Sequence, residues 1–169
     1  MRLVEGLAAV EDVDAFVTDL AAVGDEHGCA VQAFDARMVV GERHLRRAVE
    51  LANRAHERGE AVARDRAVEI LLYAAGRRQI DRALAMGVRE GEDRPVVVVV
   101  DGEGGRAGAA EAAAAAAVEG FLEPAETLGD YDEERVREYF DVTDAELAAT
   151  DAGLEALVCE RVALLTVEK

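Results

Sequence analysis

A chain of 169 residues with a formal net charge of −17 and a sequence pI near 4.5 is one domain with a core of its own, and its overall sign argues against general binding to a polyanion. It contains no serine, and its one lysine is Lys169, which excludes a serine nucleophile, a P-loop or kinase-type lysine and a Schiff base. Cys29 and Cys159 stand alone, with no CxxC pair, secretory leader or apolar run of spanning length, so the chain reads as cytosolic, reduced and free of membrane.

In chain order, a short strand around Leu3 and Val4 precedes a helix from about Glu11 to Glu26, in which Val13, Phe16, Val17, Leu20 and Val23 follow the i, i+3, i+4 rule. Asp12 is placed to cap it and Gly28 to end it. Cys29–Phe34 reads as a strand, with Met38–Val40 continuing the sheet. Glu42–Arg58 is amphipathic, apolar at Leu45, Ala48, Val49, Ala52 and Ala55. Two further helices share the stretch Arg64–Val88, broken at Gly76. The first buries Val68, Ile70, Leu71, Leu72 and Tyr73. The second starts at Arg77 and Arg78 and turns Ile80, Ala83, Leu84 and Val88 inward. Five valines, Val96–Val100, form a strand buried on both faces. Asp101–Gly105 is a turn, the alanine run Ala107–Val118 a helix, and Phe121–Leu122 a short strand. The tail holds helices at Glu133–Phe140, at Thr143–Ala149 with Thr143 and Glu146 as a capping box, and at about Asp151–Val167.

Charge is unevenly distributed. Between Arg37 and Arg89 twelve arginines meet seven acidic residues, a net charge of +5, whereas the remainder of the chain carries −22. A basic island that persists in so acidic a chain is a candidate anion-binding face. The near-absence of lysine among 36 acidic residues is the composition of a protein working in molar salt, so the net charge describes the habitat and leaves the partner open. Arginines at the start of a helix oppose its dipole, and beside free backbone N–H groups they suit phosphate. The alternative is a solvated arginine face on a well-packed helix pair.

Gly102, Gly104 and Ala107 match the G-x-G-x-x-A form of a dinucleotide fingerprint. Against that, Asp101 would set a carboxylate beside the pyrophosphate, and no second βα half follows; an ordinary strand-to-helix turn competes with the nucleotide-dependent oxidoreductase this motif would imply. His27, His44 and His56 have no metal-ligand spacing. No catalytic residue, metal site or cofactor is expected.

The segments HLRRAVELANRA (His44–Ala55) and EILLYAAGRRQIDRALAMGV (Glu69–Val88), with LEALVCERVALL (Leu154–Leu165) as the final helix, resemble the small kinase-binding subunit of the KEOPS complex, the PRPK-binding protein family, in an archaeal and halophilic form. The resemblance implies an α+β single domain, residues 1–169, with a small mixed or antiparallel sheet packed with several helices. It further implies a non-catalytic subunit that binds the small atypical kinase/ATPase and, through it, the other KEOPS subunits indirectly. It also implies recruitment of tRNA by its single-stranded 3′ CCA end for threonylcarbamoyladenosine formation at position 37. On this reading Arg64, Arg77, Arg78, Gln79, Arg82 and Tyr73 build the RNA site. Arginine pairs with phosphate and stacks on bases, and glutamine reads base edges. Leu154, Leu157, Val158 and Val162 of the last helix are the candidate kinase anchors, and a structural kinase-binding adaptor without RNA binding is the remaining alternative.

Overall fold

The valine strand is the centre of the sheet. In the computed structural model, which describes residues 1–168, strand β1 (Arg2–Val10), β2 (Cys29–Asp35), β3 (Gly91–Gly102) and β4 (Glu123–Pro124) lie in the order β2-β3-β1-β4, every pairing antiparallel. Val4 sits opposite Val98, and Val98 opposite Ala33. Alternation along β3 sends Val96, Val98 and Val100 to one face and Val97 and Val99 to the other, and all five are buried. β3 is therefore the doubly buried strand its composition predicts, longer at its N-terminal end than the valines alone.

The chain divides into two units, residues 1–36 with 87–127, and residues 37–86 with 128 onward. In the first, helix α1 (Val13–His27) and helix α5 (Ala107–Glu119) cover one face of the sheet, with Phe16, Leu20, Val23, Ala114 and Val118 packed on Val4, Val98 and Val100. Asp12 caps α1 by accepting from the Ala15 N–H at 3.0 Å, and Gly28 closes it in the left-handed region at φ 67°.

The second unit is helical. Helices α2 (Glu42–Glu57) and α3 (Arg66–Ala75) pack together, and α8 (Gly153–Glu168) packs on both. α4 (Ile80–Ala83), α6 (Glu133–Tyr139) and α7 (Asp144–Ala149) complete it, α7 carrying the expected capping box between Thr143 and Glu146. The whole is an α+β fold.

Three expectations are corrected. Met38–Val40 is not a strand: Ala36–Met38 makes a 3₁₀ turn, and Met38, Val39 and Val40 are buried as a loop entering α2. The short strand expected at Phe121–Leu122 forms two residues later, at Glu123–Pro124, because 120–122 are a turn closing α5. The second helix of the central pair is a single turn. Gly76, at φ 60°, ends α3 with the N–H of Gly76 on Tyr73 O and that of Arg77 on Leu72 O, both at 3.0 Å, the double bond pattern that stops a helix. Residues 77–79 are not helical and bend at 78–79, Gln79 entering α4 in an extended conformation, and a 3₁₀ turn at Leu84–Met86 follows. So short a helix buries little: Ala83 and Met86 face inward, while Ile80 and Leu84 are 49% and 57% exposed.

Candidate nucleic-acid interface

A groove of about 520 Å³ opens beside the turn after α3. Its lining brings Arg77, Arg78, Gln79 and Arg82 together with Arg161, Leu164 and Leu165 of α8, and with Phe140 and Asp141 where α6 ends. Four guanidinium groups thus meet one carboxylate among these residues, over a floor that includes leucine and phenylalanine. A base can lie on such a floor while its phosphate meets arginine.

The arginines divide by role. Arg78, Gln79 and Arg82 are exposed at the rim. Arg77 is committed to the fold: its Nη1 donates to Ala75 O and Gly76 O at 3.5 and 3.3 Å, its Nη2 donates to Tyr139 O, and its guanidinium lies 4.5 Å above the Tyr139 ring. Arg161 holds the opposite wall, donating from Nε to Phe140 O at 3.2 Å and from Nη2 to Asp141 O at 3.3 Å and to Glu146. Together with the bond from the Thr143 N–H, that guanidinium keeps the Glu146 carboxyl below the usual glutamate range. Asp141 takes the left-handed conformation at φ 57°, where aspartate is tolerated better than most side chains.

Other expected members lie elsewhere. Arg64 is exposed just before α3, at the far end of a helix of ten residues, roughly 15 Å along the axis from the groove. Tyr73 is 1% exposed and packs the core of α3, so it cannot stack on a base. The helix start expected to hold phosphate is reduced to the single turn of α4, whose N-cap residue, Gln79, makes no side-chain cap. The groups of this segment that could meet an anion are therefore its guanidinium groups. Leu154, Leu157, Val158 and Val162 are all buried, two of them completely, because the stripe they form faces α2 and α3. They hold α8 in place and offer no surface to a kinase.

Two buried polar groups fix the scaffold. His44, fully buried on α2, meets Ala74 O through Nε2 at 2.8 Å and the Val40 N–H through Nδ1 at 3.4 Å. A main-chain N–H can only donate and a carbonyl only accept, so the proton sits on Nε2 and the ring is neutral. Burial lowers its pKa to about 4, opposed by the bond to Ala74. Its edge-on contact with Phe140, 5.7 Å between centroids, links α2 to the groove floor. Glu69, also fully buried, accepts from Ala63 N at 2.8 Å and Val62 N at 3.3 Å and ties the segment before α3 to its first turn.

Arg161, Leu164, Phe140 and Asp141 escape a reading of the sequence because they come from elements far along the chain. A usable signal was the pair Tyr139–Phe140, conspicuous in a chain with 4% aromatic residues.

The glycine turn does not form a dinucleotide site. Strand β3, which leads into it, is antiparallel to both neighbours, so the parallel βαβ crossover is missing. The Glu111 carboxylate already accepts from the Gly102 N–H at 3.0 Å, and Asp101 is buried beside it. Among the described residues, no helix is long and apolar enough to cross a membrane.

No curated protein matches the sequence closely enough to serve as a relative. A family match spans residues 9–166 and so takes in β2, β3, α1 to α7, all of α8 but its last two residues, and the groove. On that match the chain belongs to the family described as kinase binding protein CGI-121.

Proposed function

We propose that the chain is a non-catalytic subunit of a KEOPS-type complex, binding the small atypical kinase/ATPase on one face and the single-stranded 3′ CCA end of tRNA on another, for threonylcarbamoyl transfer to adenosine 37. The observation that carries the RNA half is the groove, where Arg78, Gln79 and Arg82 are exposed beside Leu164 and Leu165. Unpaired nucleotides suit it because their bases are free to lie on an apolar floor. In the molar salt that the acidic composition fits, phosphate pairing is screened, and this floor carries more of the affinity.

The kinase half is supported by family membership and by the exposure of Ile80 and Leu84. Arg78 and Arg82 line the groove and Ile80 and Leu84 are not among its lining residues, so protein and RNA draw on different residues of the same short element.

The test uses two double variants. Arg78→Glu with Arg82→Glu weakens tRNA binding by roughly tenfold or more, as does trimming CCA from the tRNA, while kinase binding stays at the parent's level. Ile80→Glu with Leu84→Glu does the reverse. A folded arginine double variant that binds tRNA like the parent, or trimmed tRNA that binds as well as intact, overturns the RNA reading and leaves the structural adaptor.

A further inference from the structure

The segment between α3 and α4 presents the rim residues of the groove with little helix to hold it. Residues 77–79 are not helical, α4 is one turn, and it lacks a side-chain cap. An element of that size does not hold its own conformation in water. Its order has to come from neighbours.

One residue reaches both ends of it. At the near end the Tyr139 carbonyl accepts from Arg77 Nη2, and the Tyr139 ring carries the Arg77 guanidinium on its face at 4.5 Å. At the far end the Tyr139 hydroxyl donates to Arg82 O at 2.9 Å. Tyr139 is itself seated on the core, since Phe140 meets it edge-on at 5.0 Å and Phe140 is 2% exposed. Burial also pushes its phenol pKa above the ordinary value, only partly offset by Arg77, so the hydroxyl remains a donor through the neutral range.

We infer that Tyr139 is the positioning residue of the arginine groove, pinning residues 77 and 82 so that Arg78, Gln79 and Arg82 are presented to a single-stranded RNA end in one arrangement. This rests on the RNA-binding reading above. Tyr139 does not itself touch RNA; its contribution is that the ordering of the loop is completed before binding and does not reduce affinity. Arg77 is the other half of the device, a basic residue spent on the fold and not on phosphate.

The test is Tyr139→Phe, which keeps the ring beneath Arg77 and removes only the hydroxyl at Arg82. Intact tRNA is titrated against the full chain over a series of salt concentrations, alongside Arg78→Glu. Tyr139→Phe lowers affinity by roughly three- to tenfold, the weight of one hydrogen bond, and leaves the salt slope unchanged because no phosphate contact is lost. Arg78→Glu lowers both. Amide exchange in residues 80–84 of the free protein quickens in Tyr139→Phe, whereas exchange in α2 and its overall helical signal stay with the parent. Arg77→Lys, which keeps charge but loses the planar group over the ring, moves affinity and exchange in the same direction. Parental affinity and exchange in Tyr139→Phe, while Arg78→Glu still weakens binding, overturns this inference and spares the RNA reading. Indifference of tRNA binding to Arg78→Glu and to the arginine double variant overturns both.

Discussion

Removal of residues 153–169 is expected to abolish folding of the helical unit, and with it every binding function assigned to that unit. Leu154, Leu157, Val158, Val162 and Leu165 are between 0% and 9% exposed, and burying a side chain of this kind contributes about 1.5–3 kcal/mol. Five of them amount to roughly 8–15 kcal/mol, as large as the whole stability of an ordinary domain. The truncated chain should lose its cooperative thermal transition, with a helical signal reduced by far more than α8 alone. A truncated protein that melts cooperatively with only that helix missing would contradict the packing described. Loss of kinase binding on truncation therefore reports the fold, and substitutions at the exposed Ile80 and Leu84 are the proper probe of the docking face proposed above.

Acid should weaken the same unit through His44. Its pKa is about 4 in the folded chain and near the ordinary 6.5 when unfolded, so the unfolded state takes up the proton first. The stability that depends on a neutral His44 is complete above pH 6.5 and is lost as pH falls through 6.5 towards 4. The difference in pKa corresponds to about 3 kcal/mol over that window. The chain also holds thirty-six aspartate and glutamate residues, so the measurement is a comparison: denaturant unfolding of the parent and of His44→Gln at several pH values. The parent should lose about 3 kcal/mol more than the variant between pH 7 and pH 4. Parallel curves would show that His44 does not stay neutral in the folded chain.

Much of this architecture was legible in the residues. Capping by Asp12 and by Thr143 with Glu146, the stop at Gly76 and the doubly buried valine strand all depend on local chemistry that a sequence displays directly. What escaped was set by distance along the chain. The pattern Ile80, Ala83, Leu84 has helical spacing, but only contacts with α3 decide that Ala83 and Met86 are the pair turned inward. Likewise the arginine cluster could be seen, while the commitment of Arg77 to Tyr139 and the contribution of Arg161 could not, since α6 and α8 lie far along the sequence. The stripe of the last helix reads in the sequence as an apolar face that suits a partner, whereas in the fold it is core.

The pairing of β1 with β3 also has a consequence for how the chain is made. Arg2 sits opposite Val100, 98 residues later, so β1 has no partner until residues 11–90 have passed and β3 emerges. At about 5–20 residues per second that interval is roughly 5–20 seconds on the ribosome. Contacts of such long sequence separation also close slowly once both strands exist. Throughout that time Val4 and Val10 of β1 are uncovered, and the edge that β3 will occupy is open to any other extended chain. A polypeptide of this design is most exposed to misassembly while it is being born.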